Sequence, residues 1–155
     1  MSRTGRLGLV VLAAGLGLVG ARLSRAADVP SRTLAAPVDR VWTATDSALK
    51  RLGWEIEQSD RAVGWLVTAP RDLDFKDYAV YGKGLRHKLR IAMKAVGEGR
   101  TTVSVEREVY AEERILWMIE RTPVAAPDRT VETGILDAIE QALLGARPVP
   151  TSAPV

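Results

Sequence analysis

The chain has 155 residues, 46% hydrophobic and 26% charged, with no cysteine and a single histidine. That is the size and balance of one ordinary globular domain, and it excludes disulfides, a thiolate nucleophile and a lipid attached to cysteine, and leaves any zinc site only one imidazole. The formal charge is +3, but Arg3, Arg6, Arg22 and Arg25 all precede Ala26; without them the 22 basic residues fall to 18 against 19 acidic ones, a net of −1, and a global electrostatic case for nucleic acid lapses.

Ser2 to Arg6 is a short basic segment, Leu7 to Val19 is apolar and rich in Gly and Ala, and Ser24 to Ala26 offers small residues. This order predicts a secretory signal over 1–26 and a periplasmic or exported protein. Arg22 and Arg25 oppose translocation of the chain beyond the apolar run, so the alternative is an uncleaved inner-membrane anchor through residues 7–21, short though that is for a span of about 20 residues. Residues 27–32 read as a linker, 33–144 as a single domain and 145–155 as a disordered Pro-rich tail.

Thr33 to Ala36 suits a short first strand. Val38, Val41, Trp42, Thr45, Ala48, Leu49 and Leu52 then recur at the spacing of one helical face, with Pro37 in the first turn and Gly53 just past the end. Trp54 and Ile56 alternate with Glu55 and Glu57, and Val63, Trp65 and Val67 with Gly64, Leu66 and Thr68, the period of two expected of half-buried strands. A loop at 59–62 would pair Gln58 with Val63, Ile56 with Trp65 and Trp54 with Val67, turning the large side chains toward the helix. Pro70 to Gly84 reads as a loop, with a short strand at Tyr78 to Tyr81.

The clearest hairpin runs from Leu85 to Tyr110. Leu85, His87, Leu89, Ile91 and Met93 alternate with Arg86, Lys88, Arg90 and Lys94, and a three-residue loop with Gly99 left-handed sets Lys94 opposite Thr102, Arg90 opposite Glu106 and Lys88 opposite Glu108. Ile91 then meets Val105 and Met93 meets Val103 on the other face. Ile115 to Ile119 is an unbroken apolar run, read as a further strand or as the second strand continued past a bulge. Asp128 suits the N-cap of a second helix carrying Val131, Ile135, Ala138, Ile139, Ala142 and Leu143, which Gly145 stops. The expected fold is α+β: an antiparallel sheet of four to six strands with two helices packed on one face, in the order β-α-β-β-β-β-α.

The run from Ala36 to Ala69, through Pro37, Val41, Trp42, Ala48, Leu49, Gly53, Asp60 and Gly64, resembles small bacterial envelope proteins related to BamC, the accessory lipoprotein of the β-barrel assembly machinery. The resemblance extends loosely over 33–144 and implies a helix-on-sheet periplasmic domain that acts as a binding or assembly accessory, with no activity; the lipidated cysteine of those families is missing. A weaker similarity, through the Pro-x-x-x-Val-Trp opening, is to helix-grip ligand-binding domains.

The residues that could carry chemistry read more simply as structure. His87, on the apolar face of a strand, suits a core histidine; Asp72, Asp74 and Asp77 lack the glycine and terminal Glu of a calcium loop; Glu106 and Glu108 have basic cross-strand partners; and Gly82-Lys83-Gly84 lacks the Walker spacing. No catalytic, cofactor or metal site is expected. Lys83, Arg86, Lys88 and Arg90 form a basic row that could meet lipid headgroups or another anion, and Ile115, Trp117 and Met118, with Tyr78 and Tyr81, could contact a partner, Glu112, Glu113, Arg114, Glu120 and Arg121 serving as charged gatekeepers. The expected function is a non-catalytic envelope domain that docks on another envelope protein; the alternative is a carrier of a small apolar ligand or lipid between helix and sheet.

Overall fold

A computed structural model describes residues 29–145. The expected signal at 1–26 and the tail from 146 lie outside the described residues. In chain order the elements are β1 (Ser31–Leu34), α1 (Val38–Arg51), β2 (Ile56–Asp60), β3 (Trp65–Thr68), β4 (Arg71–Asp72), β5 (Lys76–Asp77), β6 (Tyr81–Ala95), β7 (Thr101–Ile115), β8 (Met118–Val124) and α2 (Thr130–Gly145). The class is α+β, but the antiparallel sheet has eight strands rather than four to six: β4, β5 and β8 are short pieces that complete the flanks of two long strands.

Those two strands, β6 and β7, are the spine. Their register is the one that alternation and charge require, with Ile91 opposite Val105, Met93 opposite Val103, Lys88 opposite Glu108 and Arg90 opposite Glu106. The loop is also as expected: Val96 N–H donates to Arg100 O at 2.9 Å around three residues ending in the left-handed Gly99. Beside β6 lie β3, β4 and β5 in turn, with β2 outside β3; beside β7 lie β1 at one end and β8 at the other.

Both helices cover the half of this spine that ends at the 96–100 loop. Val41, Ala48 and Leu49 of α1 and Ile135, Leu136 and Ile139 of α2 form one core with Leu66, Leu89, Ile91, Met93, Val103 and Val105. Pro37 proves to be the extended N-cap of α1 rather than its first turn, and Leu52, expected in the stripe, is exposed. Gly53 is left-handed at φ 72° and ends the helix, as its position suggests. Asp128 accepts a hydrogen bond from Thr130 N–H at 3.0 Å at the start of α2.

Further expectations are corrected. β1 begins at Ser31, inside the stretch read as a linker, because its pairing with β7 at Ser31 to Leu34 extends further back than its apolar residues do. The β2–β3 hairpin pairs Asp60 with Trp65 and Gln58 with Val67, and it is Leu66 and Thr68 that face the helices, leaving Trp65 and Val67 on the opposite face and Val63 70% exposed. Gly64 decides this: at φ 85° it belongs to the turn, and a Cβ there would stand 2.4 Å from Met93 O. Finally, Tyr78 to Val80 is a turn leading into β6 rather than a strand, while within Ile115 to Ile119 the strand β7 ends at Ile115, Leu116 and Trp117 make a turn, and the further strand β8 starts at Met118.

Candidate functional site

Beyond the helices the sheet continues as an arm made of the far halves of β6 and β7 with β4, β5 and β8. Its buried side chains include Tyr110, at 4% exposure, and a charged cluster beside it. Glu112, at 3% exposure, receives Arg86 Nη1 at 3.0 Å and Arg121 Nε at 2.7 Å, and Arg86 also donates to Asp72 at 2.8 Å. Burial alone would raise the Glu112 carboxyl, but the hydrogen bonds from Arg121 and Arg86 outweigh it and hold it below the usual range. Each guanidinium also covers a ring: Arg121 lies 5.5 Å from Tyr110 and Arg86 lies 5.1 Å from Phe75. Phe75 packs over Gly82 and Gly84, where an added Cβ would meet its atoms at 2.7 and 2.5 Å. The Gly-Lys-Gly sequence is thus a seat for a loop.

At the end of the arm two turns stand side by side. Tyr78 N–H donates to Tyr81 O at 2.7 Å, Leu116 N–H donates to Val80 O at 2.7 Å, and Arg114 ties the turns together through Ala79 O at 3.1 Å, Leu116 O at 3.3 Å and the Asp77 carboxylate. Ile115 pairs with Met118, so Leu116 and Trp117 form a two-residue turn. The exposed apolar residues gather here: Trp117 is 83% exposed, and Tyr78, Val80, Ile115, Leu116, Met118 and Ile119 are exposed as well. The structure therefore brings Ile115, Trp117, Met118 and Tyr78 onto one tip. Tyr81 is half-buried, its hydroxyl donating to Glu113 at 3.2 Å.

The tip also carries backbone strain. Among the described residues the non-glycine positions with positive φ are Ala79 at 65° and Leu116 at 56°, one in each turn. A left-handed conformation costs an ordinary L residue roughly 1–2 kcal/mol, and a glycine or asparagine in either place would relieve it. Sequence reading placed Leu116 in an apolar strand and Val80 in a short one, because an apolar run in a tight turn offers no Gly or Asn to mark it. Such outliers gather at functional sites.

Each member of the basic row has an acidic neighbour, Lys88 and Arg90 sharing one carboxylate. Lys83 lies 3.7 Å from Glu113, Arg86 is held by Glu112 and Asp72, Lys88 lies 3.5 Å from Glu108, and Arg90 reaches past Glu106 to Glu108 at 3.3 Å. Lys88 and Arg90 line a half-open trough of about 570 Å³ on the face of the sheet away from the helices, floored by Trp65 and Val67 and edged by Glu57, Gln58 and Glu106. Its charges are of both signs.

His87 is in the core. Its ring stacks at a tilt on Trp54 at 5.1 Å, and its Nδ1 accepts Arg107 Nε at 2.9 Å. Burial, with the positive charges of Arg107 and Arg71, lowers its pKa from 6.5 to about 4. The sequence pattern marks neither the enclosed Arg107 side chain, 5% exposed, nor the buried Glu132. Glu132 is fully buried at the start of α2 with both carboxylate oxygens lacking a hydrogen-bond partner, Arg129 Nη1 standing 3.8 Å away. Among the described residues no group of three or more His, Cys, Asp or Glu side chains could hold a metal ion, and no helix is long and apolar enough to cross a membrane. The chain matches no protein-family model and no curated protein.

Proposed function

We propose that the chain is an exported, non-catalytic domain of the cell envelope that works by docking, with the tip of the arm as the element that enters another envelope component. One observation carries this: a cluster of large apolar side chains, centred on Trp117 at 83% exposure, is held out in two strained turns at the end of an arm whose own interior holds a charged cluster. Contiguous exposed apolar surface of this kind is rare on monomeric proteins and marks interaction sites. The export signal read in residues 1–26 and the BamC-like run from Ala36 to Ala69 agree with an envelope accessory. The carrier reading has less support, since Val41, Leu49, Leu89, Val105 and Ile139 close the space between helices and sheet.

The test is a benzophenone amino acid placed at position 117 and irradiated in the native host. Docking through the tip predicts a covalent adduct to a protein or a lipid, whereas the same group at Val63, an apolar residue 70% exposed on the β2–β3 turn, gives none. Equal labelling from both positions would reject the tip as a specific docking element.

A further inference from the structure

We infer that the tip's partner is the interfacial layer of a lipid bilayer; the inference rests on the docking reading above and names the medium the tip enters. Shape is the first ground. Ile115 and Met118 share one face of the hairpin as register partners, alternation places Ile119 on the other face, and Leu116 and Trp117 cap the end. An apolar surface that wraps both faces and the end of a hairpin is buried completely only by something that surrounds it. A fluid hydrocarbon boundary does so without a matching cleft.

Depth is the second ground. No charged residue occurs from Ile115 to Ile119 or from Tyr78 to Tyr81, and charge resumes at Arg114 and Glu120 on one side and at Asp77 and Lys83 on the other. With the paired Arg114 guanidinium and Asp77 carboxylate held between its two turns, the uncharged end projects roughly 10 Å or less past Glu120 and Lys83 at a strand rise of about 3.3 Å per residue. That is the depth of interfacial insertion, about 5–10 Å, and far short of a span of roughly 30 Å. Tyr78, Tyr81 and Trp117 are the residue types that favour the headgroup boundary.

Charge is the third. In the collar Lys83 is met by Glu113, Arg114 by Asp77 and Arg121 by Glu112. Lys76 and Glu120, one of each sign, make no ion pair within 4.0 Å among the described residues. A balanced collar suits zwitterionic headgroups, so binding is apolar in origin and gains little from anionic lipid, in contrast to attachment by a polybasic patch.

The experiment is fluorescence quenching of the full chain by phosphatidylcholine vesicles carrying a spin label near the headgroup, repeated with a third of the lipid replaced by phosphatidylglycerol. The chain contains Trp42, Trp54, Trp65 and Trp117, and none before Val29, so any quenching reports a tryptophan of the domain brought close to the label, and Trp117→Phe separates the tip from the other three. Quenching is expected in both vesicle types and should disappear in Trp117→Phe, and Leu116→Asp should raise the lipid concentration for half-quenching roughly tenfold. Absence of quenching, quenching that survives in Trp117→Phe, or quenching that needs phosphatidylglycerol would each overturn the inference. If vesicles fail to quench while a benzophenone at 117 labels a protein, the lipid inference falls and the docking reading stands; if neither occurs, both fall.

Discussion

The two halves of the β6–β7 hairpin are built with opposite polarity. Under the helices, alternation sends Leu89, Ile91, Met93, Val103 and Val105 inward at 3% exposure or less, and leaves Arg90 and Glu106 in water. In the arm a carboxylate, Glu112, is buried at 3% beside Tyr110 at 4%, and a tryptophan is the most exposed of the large hydrophobic side chains among the described residues, at 83%. The first half obeys the transfer free energy of its side chains. The second sets that term aside at its end and relies on charge-assisted hydrogen bonds for its own cohesion. Burial of apolar surface alone does not account for a sheet that places Trp117 in water while enclosing Glu112, and this inversion is what the proposed docking role of the arm rests on.

The largest effect that separates the halves is a pH effect on the core. His87 is neutral when folded, with its Nδ1 lone pair engaged by Arg107. The unfolded chain takes up a proton near the ordinary value of 6.5 and the folded chain only near 4. Between those values the unfolded state binds more protons, so stability is complete above pH 6.5 and is lost as pH falls toward 4. The loss is on the order of 2–3 kcal/mol. Urea midpoints taken from pH 7 to 4.5 should fall accordingly in the wild type, and the slope above pH 5 should flatten in His87→Asn. An unchanged slope in the variant would show that the imidazole is not the group responsible.

A smaller effect belongs to the arm. Glu112→Gln keeps the shape of the side chain but removes the charge that Arg86 and Arg121 share, at an expected cost of about 1–3 kcal/mol. Because few apolar contacts bind the arm to the core, the loss should be local. Hydrogen exchange should quicken over residues 113–121 and stay as before over 87–93. Uniform acceleration across both segments would mean that the arm and the core unfold as one unit, and the contrast between them would lose its energetic meaning.

Legibility in the sequence divides along the same line. Where side-chain polarity obeys burial, reading works: the α1 stripe, the Ile91–Val105 and Met93–Val103 pairs and the 97–99 loop all follow from alternation and glycine placement. The pairing of Lys88 with Glu108 was also readable, although Arg90 turns from Glu106 to Glu108 because long side chains reach diagonal neighbours as easily as direct ones. Reading fails where burial is reversed. Trp65 and Val67 look like core residues and lie on the open face, since Leu66 and the hydrogen-bonding Thr68, whose Oγ1 accepts Leu89 N–H at 3.0 Å, take the inward positions. Glu112 looks like a surface gatekeeper and is buried. The tip could be named from Trp117 and Met118 as a sticky segment, but not as a turn, because the turn lacks the residues that make one cheap.

That missing residue gives the smallest and most telling prediction. Leu116 holds φ 56°, where glycine would remove roughly 1–2 kcal/mol of left-handed strain while adding about 1 kcal/mol or less of unfolded-state entropy. The side chain itself is 48% exposed, so little burial is lost. Leu116→Gly should therefore leave the urea midpoint unchanged or raise it slightly, whereas truncating a fully buried leucine such as Leu49 to alanine costs about 2–5 kcal/mol. If the tip is a docking element, the same variant should weaken docking by removing apolar surface at the end of the arm. A leucine kept where glycine is at least as stable is then explained by the contact it makes with a partner. If Leu116→Gly instead destabilises the fold by as much as a core truncation, Leu116 supports the arm from within, and the strained turn is structural rather than functional.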